Sequence, residues 1–329
     1  MLRSNIIGTG SYLPAHTLSN HELSKLVDTN NDWIVERTGI CSRHIATEET
    51  ETTVFMGTKA AQNALEMAGL TADKLDLILV ATFTPDYIMP NTACQIQAAI
   101  HATNAFCFDI NAACSGFLYA LQTADAYIRS GIYHSILVVG TETISRTIDW
   151  QDRSTCILFG DGAGAAILSA SHNEKGFLGF LSGSDGSGGM ALQLKNRPIK
   201  NPCRPTTKNQ PDIFPYLSMN GQEVFQFAVR KIPEMVKSIT SQNQLSPEDI
   251  SHYLLHQANL RIIKSVAKRL SLPEERFPVN LSECGNTSAA SIPILLDKCY
   301  RNGIIQLGSY ILLSGFGGGL TWGSALLKL

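Results

Sequence analysis

The chain repeats its own plan, and this limits its possible folds more than any single residue does. Helix, turn and strand succeed one another through Ala68-Gly-Leu-Thr-Ala-Asp-Lys-Leu75, and again through Asn243-Gln-Leu-Ser-Pro-Glu-Asp-Ile250. Further on, Arg129-Ser-Gly-Ile-Tyr-His-Ser-Ile-Leu-Val-Val-Gly140 is echoed by Arg301-Asn-Gly-Ile-Ile-Gln-Leu-Gly-Ser-Tyr-Ile-Leu-Leu313. Leu75 and Ile250 stand 175 positions apart, and Gly131 and Gly303 stand 172 apart. Unrelated stretches have no reason to keep such a register, whereas a duplicated unit does. The apolar runs Leu75–Thr82, Ser135–Gly140 and Gly164–Leu168 read as strands alternating with helical periodicity, which gives an α/β fold. The expected organisation is two pseudo-symmetric α/β halves, residues 1–171 and 218–329, joined by a connecting loop region, 172–217. Within that region, Asn196-Arg-Pro-Ile-Lys-Asn-Pro-Cys-Arg-Pro205 and Asn209-Gln-Pro-Asp212 are loop chemistry.

Composition removes several function classes. With 329 residues, 44% of them hydrophobic and 16% charged, the chain can bury a large core. A formal net charge of −2 gives no electrostatic reason to expect nucleic acid. No apolar run approaches the roughly 20 residues of a membrane helix. The opening Met1-Leu-Arg-Ser-Asn-Ile-Ile-Gly-Thr-Gly10 lacks the charged and long apolar regions of a secretory signal. The eight cysteines form no Cys-x-x-Cys pair and lie mostly in apolar segments. A reducing, cytoplasmic setting is expected, with no disulfide framework and no metal site.

Chemistry enters at Asp109-Ile-Asn-Ala-Ala-Cys-Ser-Gly116. Ala105–Ile110 reads as a buried strand, and Gly116–Ile128 carries apolar residues at helical spacing. Cys114 would then sit at a helix N-terminus, where free N–H groups and the dipole lower a thiol pKa and make a nucleophile. By the 172-residue offset, Cys114 maps to Asn286 within a residue or two. Asn286 lies in Glu283-Cys-Gly-Asn-Thr-Ser-Ala-Ala-Ser291, read as a second strand-to-helix passage. His256 directly follows the second-half strand in Tyr253-Leu-Leu-His-Gln-Ala-Asn-Leu-Arg261. Ligands of open α/β sheets bind beyond the carboxyl ends of the strands, so the three residues are expected to share one cleft. The run Gly315-Phe-Gly-Gly-Gly319 would let backbone N–H groups approach a ligand closely, as an oxyanion hole requires.

These residues resemble the thiolase superfamily, and within it the β-ketoacyl-acyl-carrier-protein synthase III family. The resemblance runs nearly end to end. It includes Ile6-Ile-Gly-Thr-Gly-Ser-Tyr-Leu-Pro14, Asp32-Trp-Ile34 with Arg37-Thr-Gly-Ile40, and Ala93-Cys-Gln-Ile96. It continues through Ala112-Ala-Cys-Ser-Gly-Phe117, Phe159-Gly-Asp-Gly-Ala-Gly-Ala165, His256-Gln-Ala-Asn-Leu-Arg-Ile262, Gly285-Asn-Thr-Ser-Ala-Ala-Ser291 and Phe316-Gly-Gly-Gly319.

The resemblance implies a thiolase-like fold layered αβαβα. It implies a decarboxylative condensation of an acyl-coenzyme A primer, acetyl in the usual case, with malonyl-acyl carrier protein, initiating fatty acid synthesis. Cys114 would take the acyl group, with its own N–H and that of Gly318 holding the thioester oxygen. His256 and Asn286 would stabilise the enolate left by decarboxylation. Trp33, Arg37 and Arg153 match positions that grip the nucleotide end of coenzyme A, and Gly221, Phe225 and Asn259 match the pantetheine tunnel. Gln257, Ala258, Asn259, Leu260 and Arg261 match the segment where the acidic carrier protein docks, with Lys264 and Lys268 on the same helical face as Arg261. A homodimer is implied, and no cofactor beyond the thioester substrate.

The chain departs from the family pattern at Ser154, where members often carry Gly, and at Cys284, where they often carry His. Met89 stands where acetyl-specific members carry an aromatic residue in the primer pocket, often reaching it across the dimer. The primer is therefore open between acetyl, branched and medium-chain groups, and a specialised relative using an unusual primer stays an alternative. A cysteine hydrolase would share the order Cys114, His256, Asn286, but the local cysteine signature of such proteases is missing. An inactive scaffold would be expected to have lost the nucleophile.

Overall fold

The computed structural model describes residues 2–172, 175–196 and 215–329. Of the loop segments read from sequence, 197–205 and 209–212 lie outside the described residues. Two sheets form the frame. The first has the order Arg3–Tyr12, Gly162–Ser171, Ser135–Glu142, Leu77–Ala81, Phe106–Ile110. The second has the order Gly176–Ser184, Thr321–Lys328, Tyr310–Gly317, His252–Leu255. Pairing directions also agree: in each sheet the first three strands are antiparallel and the fourth joins parallel.

The helices complete five layers, αβαβα. Gly116–Arg129 and Ser291–Arg301 lie between the sheets, Thr53–Ala68 covers the outside of the first, and Gly221–Gln242 covers the outside of the second. The layering follows from which faces are apolar. Gly116–Arg129 buries Phe117, Leu118, Ala120, Leu121, Ala124 and Ile128, enough to touch a sheet on either side. Thr53–Ala68 is apolar on one stripe only, and its ends are marked by local chemistry. The Thr52 hydroxyl accepts from the Phe55 N–H, and Gly69 closes the helix at φ 61°.

Structural equivalence sharpens the repeat. The strands at Leu77 and His252, the short turns at Ala72 and Pro247, the turns at Ala113 and Ser288, and the helices at Gly116 and Ser291 all start 175 residues apart. The offset is 172 at Gly131 and Gly303, because Ser291–Arg301 has 11 residues where Gly116–Arg129 has 14, and it returns to 175 at the strands that begin at Ser135 and Tyr310.

Two expectations are corrected. Phe106–Ile110 is not a buried strand. It is the edge of the first sheet, paired among the described residues only with Leu77–Ala81, and Phe106 is 53% exposed. Its apolar composition reflects one packed face and an open ladder edge, and among the described residues the second sheet has no counterpart strand beyond His252–Leu255. Nor is 172–217 only a connecting loop. Gly176–Ser184 is a full strand of the second sheet, antiparallel to Thr321–Lys328, and Leu192–Gln193 pairs with Ser218–Met219. The alternation of small and apolar residues in Gly176-Phe-Leu-Gly-Phe-Leu181 carries that strand, and the surrounding glycines and prolines hid it.

Candidate active site

Cys114 is the middle residue of a tight turn, Ala113–Ser115, that leads without a loop into Gly116–Arg129. The turn begins with Ala113 at φ 46°, a left-handed conformation that costs a residue bearing a Cβ about 1–2 kcal/mol. The Asn111 Oδ1 accepts from the Ala113 N–H at 3.3 Å and helps hold it. The second half builds the same device. Ser288 has φ 49°, and its N–H donates to Asn286 Oδ1 at 2.9 Å. The two turns lie in contact.

This overlay corrects the mapping drawn from sequence. The counterpart of Asn286 is Asn111, and the counterpart of Cys114 is Ala289, each 175 residues on. Asn286 is also not on a strand-to-helix passage. It follows the short helix Leu281–Cys284 and makes an isolated parallel bridge with Phe159.

Convergence does not depend on that mapping. Cys114, His256 and Asn286 line one cavity of about 440 Å³. Arg37, Gly221, Phe225, Ala258, Asn259 and Arg261 line the same cavity. Cys114 also lines an adjoining cavity of about 400 Å³, with Phe83, Phe159, Leu192, Leu217 and Gly318. Its backbone is pressed by Gly317, where an added Cβ would lie 2.7 Å from the Cys114 nitrogen. Gly318 follows in the turn between Tyr310–Gly317 and Thr321–Lys328.

His256 is 2% exposed. Its backbone N–H donates to the Ser314 carbonyl at 2.8 Å, its ring meets Phe316 edge-on at 5.5 Å, and Nδ1 lies 2.6 Å from Ser291 Oγ. Burial pushes its pKa down to about 3, so the ring is neutral. The unfolded chain, with histidine near 6.5, binds a proton that the folded chain refuses. Stability from this group is full above pH 6.5 and is lost as pH falls toward about 3, at roughly 1.4 kcal/mol per pH unit. Urea unfolding between pH 7 and 4 checks this: His256→Gln should show a shallower acid slope by up to one proton.

The expectation that the helix start makes Cys114 a ready thiolate meets an opposing effect. Burial pushes its pKa from 9.0 up to about 12, and the Glu142 carboxylate adds to the rise. Only the hydroxyl of Ser288 and the Cys114 backbone oppose it. That rise corresponds to about 4 kcal/mol, while a helix terminus is worth about 0.3–2 kcal/mol, so burial wins. Glu142 is itself fully buried and raised to about 8, although Thr82, Thr84 and the Phe83 N–H all donate to it. Sequence reasoning missed Glu142, Ser288 and Ser291. Both serines stand inside the quoted Gly285–Ser291 motif, but only the fold shows which groups they touch.

The outlying residues divide. Arg37 and Arg153 place guanidinium carbons 4.6 and 5.3 Å from the Trp33 ring centre, so the three form one cluster. Asn259 caps the helix Leu260–Leu270 by accepting from the Arg261 N–H, and its Nδ2 donates to the Arg37 carbonyl. Arg261 is exposed and Leu260 half-buried. Gln257 differs: it is 1% exposed, its Nε2 donates to the Leu255 carbonyl, and its Oε1 accepts from the Asn280 N–H. With both ends of its amide used internally, it offers nothing to a docking protein. Met89 is 86% exposed and lines neither cavity of its own chain.

Known proteins share both the sequence and this architecture. Residues 108–186 match 3-Oxoacyl-[acyl-carrier-protein (ACP)] synthase III, and residues 240–329 match its C terminal region. The Beta-ketoacyl-[acyl-carrier-protein] synthase III of Clostridium tetani (strain Massachusetts / E88) is 46% identical, covering 98% of this chain and 97% of its own. That of Streptococcus sanguinis (strain SK36) is 47% identical, covering 97% of each. The crystal structure of 3-oxoacyl-[acyl-carrier-protein] synthase III from Aquifex aeolicus VF5 superposes with a TM-score of 0.92 at 44% identity, covering 99% of this chain and 100% of that one.

Proposed function

The chain belongs to the 3-oxoacyl-[acyl-carrier-protein] synthase III family, the acyltransferases that initiate fatty acid biosynthesis, and from that premise we propose how its residues divide the reaction. One observation carries the division: Cys114 stands on the wall between two cavities, while His256 and Asn286 face only one of them. The acyl group, acetyl in the simplest case, lodges in the cavity walled by Phe83, Phe159, Leu192 and Leu217. The thioester carriers enter by the other cavity in turn.

In the first half-reaction the Cys114 sulfur attacks the thioester carbon of acyl-coenzyme A. The coenzyme A sulfur leaves and takes up the proton that the thiol gives away. The Cys114 and Gly318 N–H groups hold the oxygen as it becomes negative. Trp33 with Arg37 and Arg153 grips the nucleotide end, and Gly221, Phe225 and Asn259 line the path of the pantetheine arm.

In the second half-reaction malonyl-acyl carrier protein docks on Ala258, Asn259, Leu260 and Arg261. The malonyl carbon–carbon bond breaks, carbon dioxide leaves, and its electron pair becomes an enolate. Asn286 has Oδ1 engaged by Ser288, so its Nδ2 is the end that donates to the thioester oxygen, beside His256. The enolate carbon then attacks acyl-Cys114, the sulfur leaves and regains a proton, and a 3-oxoacyl thioester departs. The scheme needs no cofactor beyond the thioester substrates. We place it in the cytoplasm, in a homodimer whose second copy brings Met89 to the primer cavity, with neither nucleic acid nor membrane as a partner. Relatives sharing nearly half their residues across the whole chain favour this role over specialised condensation of unusual primers.

His256→Ala and Asn286→Ala should each slow decarboxylation of malonyl-acyl carrier protein by about 10²–10³-fold, the usual loss for one oxyanion donor. Intact-mass measurement should still find Cys114 acylated in both. Normal decarboxylation by both variants would refute the division.

A further inference from the structure

A neutral imidazole carries one proton, and the nitrogen that holds it decides whether the other can give or only receive a hydrogen bond. In His256, Nδ1 is committed to Ser291 Oγ at 2.6 Å, which leaves Nε2 for the cavity that the residue lines. The direction of the Ser291 bond therefore sets the chemistry of Nε2.

The surroundings of Ser291 set that direction. A hydroxyl has one proton to give and two lone pairs to receive with. The Gln257 N–H, which can only donate, points at the same Oγ at 3.4 Å. Among the described residues Ser291 Oγ has no third hydrogen-bond partner. If Nδ1 carried the ring proton, Oγ would receive from both neighbours, and its own proton would be buried without an acceptor, since Ser291 is 2% exposed. A buried polar group left unmet is destabilising, which decides between the two arrangements. With the hydroxyl donating into Nδ1, all three groups are satisfied.

We infer that Ser291 is a positioning residue that fixes His256 as the Nε2–H tautomer, a hydrogen-bond donor toward the thioester oxygen of the malonyl substrate. The same choice stops Nε2 from taking the Cys114 proton, so His256 serves the decarboxylation and not the thiol. Ser291 opens the helix Ser291–Arg301, so the backbone that aims its hydroxyl is held by the inner layer. The catalytic use of the tautomer rests on the role proposed for His256 above. The tautomer itself does not.

The experiment is nitrogen NMR of the full-length protein labelled with ¹⁵N-histidine, joined to decarboxylation kinetics. The wild type should show the Nε2–H pattern for His256, assigned by its loss in His256→Ala. Ser291→Ala should move it toward the Nδ1–H or a mixed pattern, and should lower kcat for malonyl decarboxylation about tenfold or more with KM nearly constant. Ser291→Thr, which keeps the hydroxyl, should restore both. An Nδ1–H pattern in the wild type, or an unchanged pattern in Ser291→Ala, overturns the inference even if one variant folds poorly. Normal decarboxylation by His256→Ala would instead overturn the site reading, with the tautomer result standing.

Discussion

Cys114→Ala loses acyl transfer: no added acyl mass on the protein after incubation with acyl-coenzyme A, and condensation down by at least about 10³-fold. Cys114→Ser should be nearly as inactive. A serine hydroxyl needs a base to act as a nucleophile, and with the proton of His256 on Nε2 that ring cannot serve as one. The cysteine does not need a standing thiolate. Burial holds it as a thiol near pKa 12, so the proton must leave as the substrate enters and the leaving sulfur accepts it. Both variants should stay folded, because removing one sulfur at a site 6% exposed opens only a small void, worth about 1 kcal/mol. Full condensation by Cys114→Ser would overturn the assignment.

The second large effect lies on the contact between the halves. Gly140→Ala would place a methyl group 2.3 Å from the Ala289 carbonyl oxygen and 2.8 Å from its carbon. Neither partner can yield cheaply. Gly140 is in the central strand Ser135–Glu142, and Ala289 is in the turn that Asn286 anchors through Ser288. The expected loss is about 3 kcal/mol or more, read as a fall of roughly 5–10 °C in thermal midpoint. Activity should fall further than stability, because the displaced turn carries Asn286 and Ser288 out of the cavity wall. Gly186→Ala is the control: an added Cβ there meets no heavy atom within 4 Å, and its midpoint should barely move. Equal behaviour of the two variants would show that the halves are not in hard contact at Gly140.

Much of this was legible in the residues. Alternating apolar runs and the repeated segments gave the α/β class and the two-sheet plan, since periodicity and register are properties of sequence. The approach of Cys114 and His256 followed from strand ends, whereas Asn286 reaches the cavity after the short helix Leu281–Cys284, a placement that no strand end foretold. The misses were long-range in origin. Phe106–Ile110 and a buried strand have the same composition, and only the sheet order shows which is an edge. Gly176–Ser184 was lost among glycines and prolines because its pairing partner lies nearly 150 residues away. The 172-residue offset misplaced the counterpart of Cys114 because it was counted at Gly131 and Gly303, beyond a helix that is three residues shorter in the second half. Gln257 reads as a surface amide until Leu255 and Asn280 are found to occupy it. The thiol pKa depends on how much water reaches the sulfur, which local sequence does not state.

The paired asparagine turns carry one more consequence. Both halves spend the same local design, an asparagine two residues before a left-handed bend and a helix just after it. Position 289 is crowded by a neighbouring strand and holds a methyl group, whereas position 114 opens onto hollow space on both sides and holds sulfur. The two corners thus differ in the space around them and not in backbone shape: one is a wall, and its twin is a doorway.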